Sequence, residues 1–153
     1  MTLHTGNGCT IGNNGDFTGD LITPNCNIAA PGQATNAGCQ ILSPNTASFG
    51  TGFNAESGGV YATEWTSDVI SIWFFPRSAI PADIASGSPD PTSWGTAAAS
   101  FSGGCQIDSF FVNQQIVSVT LIHATIIDFS RYSIRPSAAT GQATSGLRTL
   151  SAL

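Results

Sequence analysis

The chain has 153 residues, and 41% of them are hydrophobic, which is enough for one domain with a core of its own. Charge is sparse: 8% of the residues are charged, lysine is absent, and the formal net charge is −5. Without a basic stripe a nucleic-acid partner is not expected, and no apolar run is long enough to cross a membrane.

The composition predicts an all-β protein with long loops. Glycine, asparagine, serine and threonine are abundant, and β-branched and aromatic residues cluster in short runs. We predict the end of a strand at Thr2–Thr5 and an irregular loop over Gly6–Gly50. Pro24, Pro31 and Pro44 lie within that loop and disfavour regular structure.

Four cysteines lie in turn-like surroundings, at Cys9, Cys26, Cys39 and Cys105. Their spacing lacks the paired CxxC or nearby histidines of a zinc site, so disulfides are the prediction and no metal or cofactor is expected. Disulfides imply an oxidising compartment, but the connectivity stays open. The residues after Met1 do not form an export signal. The expectation is therefore an intracellular oddity or residues missing upstream.

The segment Gly58–Pro76 predicts a β-hairpin with a turn at Thr66–Ser67–Asp68. Alternate side chains of a strand share a face. The predicted core face carries Tyr61, Thr63, Trp65, Ile70, Ile72 and Phe74. The opposite face carries Ala62, Glu64, Ser71 and Trp73. An acid and a tryptophan on a face that is not part of the core suggest a binding surface.

Three further elements are predicted after the hairpin. Ile80–Ala85 has the character of a short helical turn, and Ile107–Val117 that of a strand. Val119–Phe129 is a dense apolar run. It lies in a region where the composition changes, since cysteine is absent after Val117 and three of the four arginines lie beyond Ser130. A strand there is one interpretation of that run.

Three motifs together are specific to a known family. LHTGNGCTI near the start, GFNAESGGVYATEWTSDVISIWFFPRSAIPADI in the middle, and PDPTSWGTAAASF with GGCQID and NQQIV later resemble fungal family-16 glycoside hydrolases. The likeness is to endo-1,3(4)-β-glucanases, or laminarinases, and runs over residues 1–117. It implies part of a concanavalin A-like β-jelly-roll sandwich, a β-glucan ligand, retaining hydrolysis by two glutamates, and secretion.

The sequence departs from that family at its catalytic motif. The family carries Glu-x-Asp-x-x-Glu shortly before the segment that resembles LHTGNGC, and this chain has no such motif. A retaining pair needs carboxyl groups about 5–5.5 Å apart. No two of the nine acids are two residues apart, although a pair across strands stays open. We therefore expect no catalytic residue in this chain. Whether sequence upstream of Met1 restores the motif stays open, and an in-frame copy there would mark Met1 as an internal methionine.

The tail, residues 118–153, also differs from the sequence that family members have at this point. Family members continue after NQQI with a strand like VFDTTFCGDWAG. Codons permitted for Arg131–Ala143 yield that strand when they are shifted by one base, and Val117–Ser118 can encode an intron donor. The hypothesis is that Val117–Ser130 translates an unspliced intron and that the following exon is out of frame. A genuine divergent tail is the alternative.

Three residues are candidates for contact with sugar. His4 resembles a histidine beside the family's cleft, with a loop histidine as the alternative. Glu64 is predicted to accept hydrogen bonds from sugar hydroxyls. The alternative is that its charge is balanced within the protein by neighbouring hydroxyl groups or by Arg77. Trp73 is predicted to stack on a pyranose, or else to pack under the Cys-rich loop. Trp65 and Trp94 are assigned to packing, and His123 carries no weight.

Two function classes follow from these expectations. The chain is either a fragment of a β-glucan hydrolase or a non-catalytic carbohydrate-binding or structural remnant, and a mispredicted gene product is a third possibility. A monomer is expected if the chain folds. Because a half sandwich exposes sheet edges, it is also expected to aggregate.

Overall fold

The computed structural model describes residues 1–111 and 146–151, and the elements are given for those residues. The strands are β1 (Thr2–Leu3), β2 (Asp20–Thr23), β3 (Cys39–Leu42), β4 (Gly59–Trp65), β5 (Ile70–Pro76), β6 (Ala99–Phe101) and β7 (Gly146–Ser151). The helices are α1 (Gly50–Ala55), α2 (Ala82–Ala85) and α3 (Ile107–Phe111), with single 3₁₀ turns at Arg77–Ala79 and Pro91–Ser93.

The strands form two antiparallel sheets. One sheet has the order β1-β3-β2 and the other the order β6-β5-β4-β7. Side chains from both sheets meet in one core, which includes Ile41 from the first and Ile70 and Phe101 from the second. The predicted all-β class is confirmed. In the described part of the chain, no helix has the length and apolar character to span a membrane.

The predicted hairpin is confirmed, with seven register pairs from Gly59↔Pro76 to Trp65↔Ile70. Thr66 closes the turn: its N–H donates to the carbonyl of Val69 at 2.9 Å. The Thr66 hydroxyl oxygen accepts from the N–H groups of Asp68 and Val69. A threonine that satisfies loop N–H groups in this way is typical of a tight turn.

The two faces of the hairpin are both covered, which corrects one prediction. Trp65, Ile70 and Ile72 belong to the main core, as predicted. On the opposite face, however, Ala62 and Trp73 are buried in a second apolar cluster. The segment 81–97 folds back over them, so this end of the face is not the open surface that strand alternation alone suggested.

The loop predicted over Gly6–Gly50 contains two strands, β2 and β3, so the expectation of no regular structure there was wrong. Each strand has four residues, too few to show a clear period of two. Glycine and proline flank them, and a register irregularity falls between Leu21 and Thr23. The pairing of β2 with β3 is thus a product of tertiary contacts, including a disulfide that follows Pro24.

Ile107–Phe111 is a helix and not the beginning of the predicted strand Ile107–Val117. The carbonyl of Gln106 accepts from the N–H groups of Ser109 and Phe110, at 3.0 and 3.3 Å. Helical spacing places Ile107, Phe110 and Phe111 on one side, and all three pack on the main core. The predicted turn at Ile80–Ala85 is confirmed by α2.

Several expectations fall outside the described residues. These are the end of the predicted strand from residue 112 onward, the apolar run Val119–Phe129, the suspected intron Val117–Ser130, and His123. Within the predicted tail, Gly146–Ser151 forms β7 and pairs along β4 in a register from Val60↔Ser151 to Trp65↔Gly146.

We predict that the segment covering Trp73 loosens in acid. The Asp83 carboxylate accepts from the Asp90 N–H at 2.7 Å and from the Trp94 indole at 2.8 Å. These bonds, the first above all, lower the pKa of Asp83 below its ordinary value. A lowered folded-state pKa gives stability that is present above the unfolded-state pKa and is lost as pH falls through the folded one.

The test is thermal unfolding and tryptophan fluorescence followed from neutral to acid pH. The wild-type midpoint should fall more steeply in acid than that of Asp83→Asn, which has no carboxylate to protonate. Asp68→Asn is the control, because Asp68 is an exposed turn acid whose carboxylate is not part of this network, and it should keep the wild-type slope. Equal slopes for Asp83→Asn and the wild type would contradict the prediction.

Candidate functional site

A polar row crosses the outer face of the hairpin sheet beside the Trp73 cluster. Glu64 on β4 pairs with Ser71 on β5, and Ser71 pairs with Ser100 on β6. Residues directly opposite each other in an antiparallel sheet point to the same side, so these three share one face. Both serines are buried, and Glu64 is half-buried. We call this set the polar row.

Glu64 has no hydrogen-bond donor in the part of the chain that the structure describes: no side chain or backbone group there donates to its carboxylate. Arg77, the suggested alternative partner, lies at the other end of the hairpin, where its Nε donates to the carbonyl of Ser57 at 3.0 Å. Five residues of strand separate Gly59 from Glu64, roughly 17 Å. The structure therefore does not pair Glu64 with Arg77.

Trp73 is placed on the same face as Glu64 but is only 7% exposed. Its indole N–H donates to the carbonyl of Gly95 at 2.9 Å, and its ring meets that of Trp94 edge to face at 5.3 Å. This burial favours a packing role, against the segment 81–97 and not under the Cys-rich loop. Stacking of Trp73 on a pyranose stays a prediction.

The other two tryptophans pack, as assigned. Trp94 also contacts Phe75 at 5.6 Å between ring centroids, which completes an aromatic cover over the second cluster. Trp65 packs on the main core and meets Phe111 edge to face at 5.6 Å.

His4 lies in the other sheet's surroundings, directly after β1, and its ring is exposed. Nε2 lies 3.2 Å from the carbonyl of Ala37, a distance at which its N–H donates and leaves Nδ1 as the acceptor of the neutral ring. A Cβ on Gly38 would lie 2.1 Å from His4 Cδ2. Gly38 thus makes the space that the imidazole occupies.

The structure brings Glu64 and Trp73 onto one face and leaves His4 just after β1, beside the other sheet. Two neighbours of these residues were not predicted from the sequence: Ser100, beside Ser71, and Gly38, beside His4. Ser100 lies on a strand of three residues that carried no periodic signal. Gly38, which has a φ of 64°, had only its position before a cysteine to mark it.

All four cysteines form disulfides, as predicted, and the connectivity is Cys9–Cys105 and Cys26–Cys39. All four are buried. The first bridge ties the loop after β1 to the start of α3, across a separation of 96 residues. The second closes the shorter loop between β2 and β3, with a separation of 13 residues.

Comparison with solved structures identifies the class of fold. Laminarinase 16A from Phanerochaete chrysosporium, in a structure with 6-O-glucosyl-laminaritriose in its donor and acceptor sites, matches with a TM-score of 0.66 and 42% identity over 72% of this chain. A family-16 β-1,3-glucosyltransferase matches with a TM-score of 0.65. The described sheets are thus part of a jelly roll of the glycoside hydrolase type.

The family follows from the sequence. Residues 1–134 match the XgeA-like catalytic domain of glycoside hydrolase family 16, and the chain belongs to that family. An endo-1,3(4)-β-glucanase from Arthroderma benhamiae is 50% identical over 117 residues, and a probable glycosidase from Schizosaccharomyces pombe is 43% identical over 119 residues. The predicted resemblance is confirmed.

The chain spans about a quarter of the length of these two relatives: it covers 26% of the first and 28% of the second. It also covers 38% of the laminarinase chain. The two alignments cover 75% and 76% of the residues of this chain.

We predict that Gly38→Ala destabilises the chain and displaces the His4 ring. The added Cβ would lie 2.4 Å from the backbone oxygen of Leu3 as well as against the imidazole, and Gly38 has a φ of 64°. An L-residue in that conformation costs about 1–2 kcal/mol, and the two clashes add to it.

Gly87→Ala is the matched control. Gly87 has a φ of 78° and nothing within 4 Å of the position of a Cβ, so this variant carries the backbone cost alone. Urea unfolding should show a larger loss for Gly38→Ala than for Gly87→Ala, and only the former should move the His4 ring resonances. Equal losses with an unmoved ring would overturn the account of Gly38.

Proposed function

We propose that this chain binds β-1,3(4)-glucan through the outer face of the hairpin, with Glu64 as an acceptor for sugar hydroxyls. The observation that carries the proposal is the half-buried Glu64 carboxylate, which has no donor among the described residues and lies in the polar row with Ser71 and Ser100. Membership of the glucanase family, and the glucan bound to the related laminarinase, support this ligand class.

We also propose that the chain has no complete retaining dyad of its own. The cross-strand alternative can be checked at the two acids that lie in described strands. Glu64 faces Ser71 and the backbone position of Leu147, and Asp20 faces Leu42. Neither partner is an acid, so no carboxyl group lies directly across the ladder at about the 5–5.5 Å that retention requires.

The competing candidate is a hydrolase fragment that turns over glucan. Family membership favours it, since the relatives carry names of endo-1,3(4)-β-glucanases. The distribution of acids argues for binding alone: Asp16 and Asp68 lie in loops or turns, Glu56 caps α1, and Asp83 lies in α2, so these four do not share a row. We therefore propose that the function of this chain is to bind carbohydrate without hydrolysing it.

Secondary roles follow from the same geometry. We propose that His4 contacts sugar through Nδ1, because the contact of Nε2 with Ala37 leaves that nitrogen as the available acceptor. Stacking of Trp73 on a pyranose is also proposed, through the small part of the side chain that is exposed. Export to an oxidising compartment and a monomeric state are part of the proposal, and the two disulfides support the first.

For residues 118–153 we propose intron read-through followed by a shifted frame. The family match reaches residue 134 and so crosses the suspected junction, whereas the curated relatives align over 117–119 residues. Sequencing the transcript across codons 110–145 tests this hypothesis. A spliced product that encodes the VFDTTFCGDWAG-like strand would support it, and an uninterrupted transcript alone would overturn it.

We predict that Glu64→Gln weakens binding of laminarin oligosaccharides about tenfold, because a charge-assisted hydrogen bond to a hydroxyl is replaced by a neutral one. Isothermal titration calorimetry of the full chain is the measurement. The control is Glu56→Gln, the same substitution at an exposed residue after α1, which should bind like the wild type. Equal affinities of the two variants would contradict the role of Glu64.

We predict no turnover of laminarin by the purified wild-type chain. The physical reason is that retention needs both a nucleophile and an acid at a fixed separation, and one unpaired glutamate cannot supply both roles. Reducing-sugar release is measured beside an intact family-16 laminarinase as the positive control. Release that is abolished by Glu64→Gln would show catalysis by this chain and overturn the binding-only proposal.

A further inference from the structure

Three buried sulfur atoms from two different disulfides lie together in the core. The Sγ atoms of Cys9, Cys26 and Cys105 are all within 4.8 Å of one another. Cys9 is bonded to Cys105, and Cys26 is bonded to Cys39. The sulfur of Cys39 is not part of this close group, and it lies 3.6 Å from the carbonyl of Leu3. The two partners in the second disulfide therefore differ in their surroundings.

The backbone holds Cys26 against Cys9 independently of either disulfide. The Cys26 N–H donates to the carbonyl of Cys9 at 2.9 Å, and the adjacent residues Thr10 and Asn25 form an antiparallel bridge. Cys105 is held by the neighbouring residue, since the Gly104 N–H donates to the carbonyl of Thr10 at 3.1 Å. Cys9 and Cys26 thus stay adjacent when a sulfur–sulfur bond is broken.

We propose that Cys26 is a nucleophile poised for thiol–disulfide exchange with the Cys9–Cys105 bridge. Once a dithiol reductant has opened Cys26–Cys39, or Cys39 is absent, local opening lets a hydroxide ion take the proton of the buried Cys26 thiol, and the thiolate attacks Cys9 Sγ. The Cys9–Cys26 bond forms, the Cys9–Cys105 bond breaks, and the electron pair leaves on Cys105 Sγ, which takes up a proton. The exchange step itself needs no oxidant.

The consequence is a change in what the disulfides hold together. In the starting state, the Cys9–Cys105 bridge anchors α3 to the loop after β1. After exchange, that anchor is gone and α3 is held by the burial of Ile107 and by the Gly104 hydrogen bond. The new bridge joins two segments that the backbone already pairs.

Two matched variants of the full chain test the proposal. Cys39→Ser leaves Cys26 as the unpaired thiol, and Cys26→Ser leaves Cys39. Each oxidised variant is incubated at mildly alkaline pH without denaturant, quenched in acid, and mapped by peptide mass spectrometry. Because one thiol is positioned beside the bridge and the other is not, exchanged bridges should be at least roughly tenfold more abundant in Cys39→Ser. The expected product is Cys9–Cys26 with a free Cys105.

Denaturant provides the contrast. In concentrated urea the folded geometry is lost, so exchange by Cys39 in the Cys26→Ser variant should rise toward the level of the other variant. Similar exchange by both variants under native conditions would overturn the proposal. So would retention of Cys9–Cys105 in Cys39→Ser, or Cys26–Cys105 as the main product.

The wild-type chain keeps the test valid if a variant fails to fold. A brief treatment with a limiting amount of dithiothreitol, followed by rapid alkylation, traps the thiols that are free at that moment. The proposal expects a population in which Cys39 and Cys105 carry the label together while Cys9 and Cys26 are joined. Labelling confined to the original pairs would overturn it.

Discussion

The pairing register of β4 with β5 is the constraint on which the other features depend. A slip by one residue would turn every side chain to the opposite face, taking Trp65 and Ile72 out of the core and putting Glu64 into it. Both ends of the hairpin fix this register. Thr66 closes the turn at one end, and at the other the Arg77 N–H donates to the carbonyl of Gly58 at 3.0 Å. The positions of Glu64 and Trp73 follow from these two ends.

Loops perform the covering that helices perform in many other folds. One face of the hairpin meets the disulfide-linked loops of the main core, and the other meets the segment 81–97. These covers are themselves linked, because Thr18 and Gly19 donate to the carbonyls of Ala97 and Ala98. A Cβ on Gly19 would lie 2.6 Å from the Ala98 oxygen, so a glycine there lets the two backbones approach.

The sequence was sufficient for features that depend on local signals. Alternation over seven-residue strands, the Thr66 turn and the cysteine chemistry all have causes within a short stretch of chain, and each prediction is confirmed. Short strands such as β3 and β6 depend on partners distant in sequence, and they were missed. The helix at Ile107–Phe111 was predicted as a strand because a short apolar run fits either period.

In the candidate site, too, the local sequence pattern predicted which residues share a face, whereas contacts with distant residues were not predicted. Alternation placed Glu64 and Trp73 on one face, but it could not reveal that Trp94 packs against Trp73 while Glu64 lies outside that cluster. An ionised carboxylate offers about four acceptor positions, and the two buried serines of the polar row do not donate to it. Sugar hydroxyls are donors of the right kind, which is the physical basis for proposing Glu64 as the group that recognises glucan.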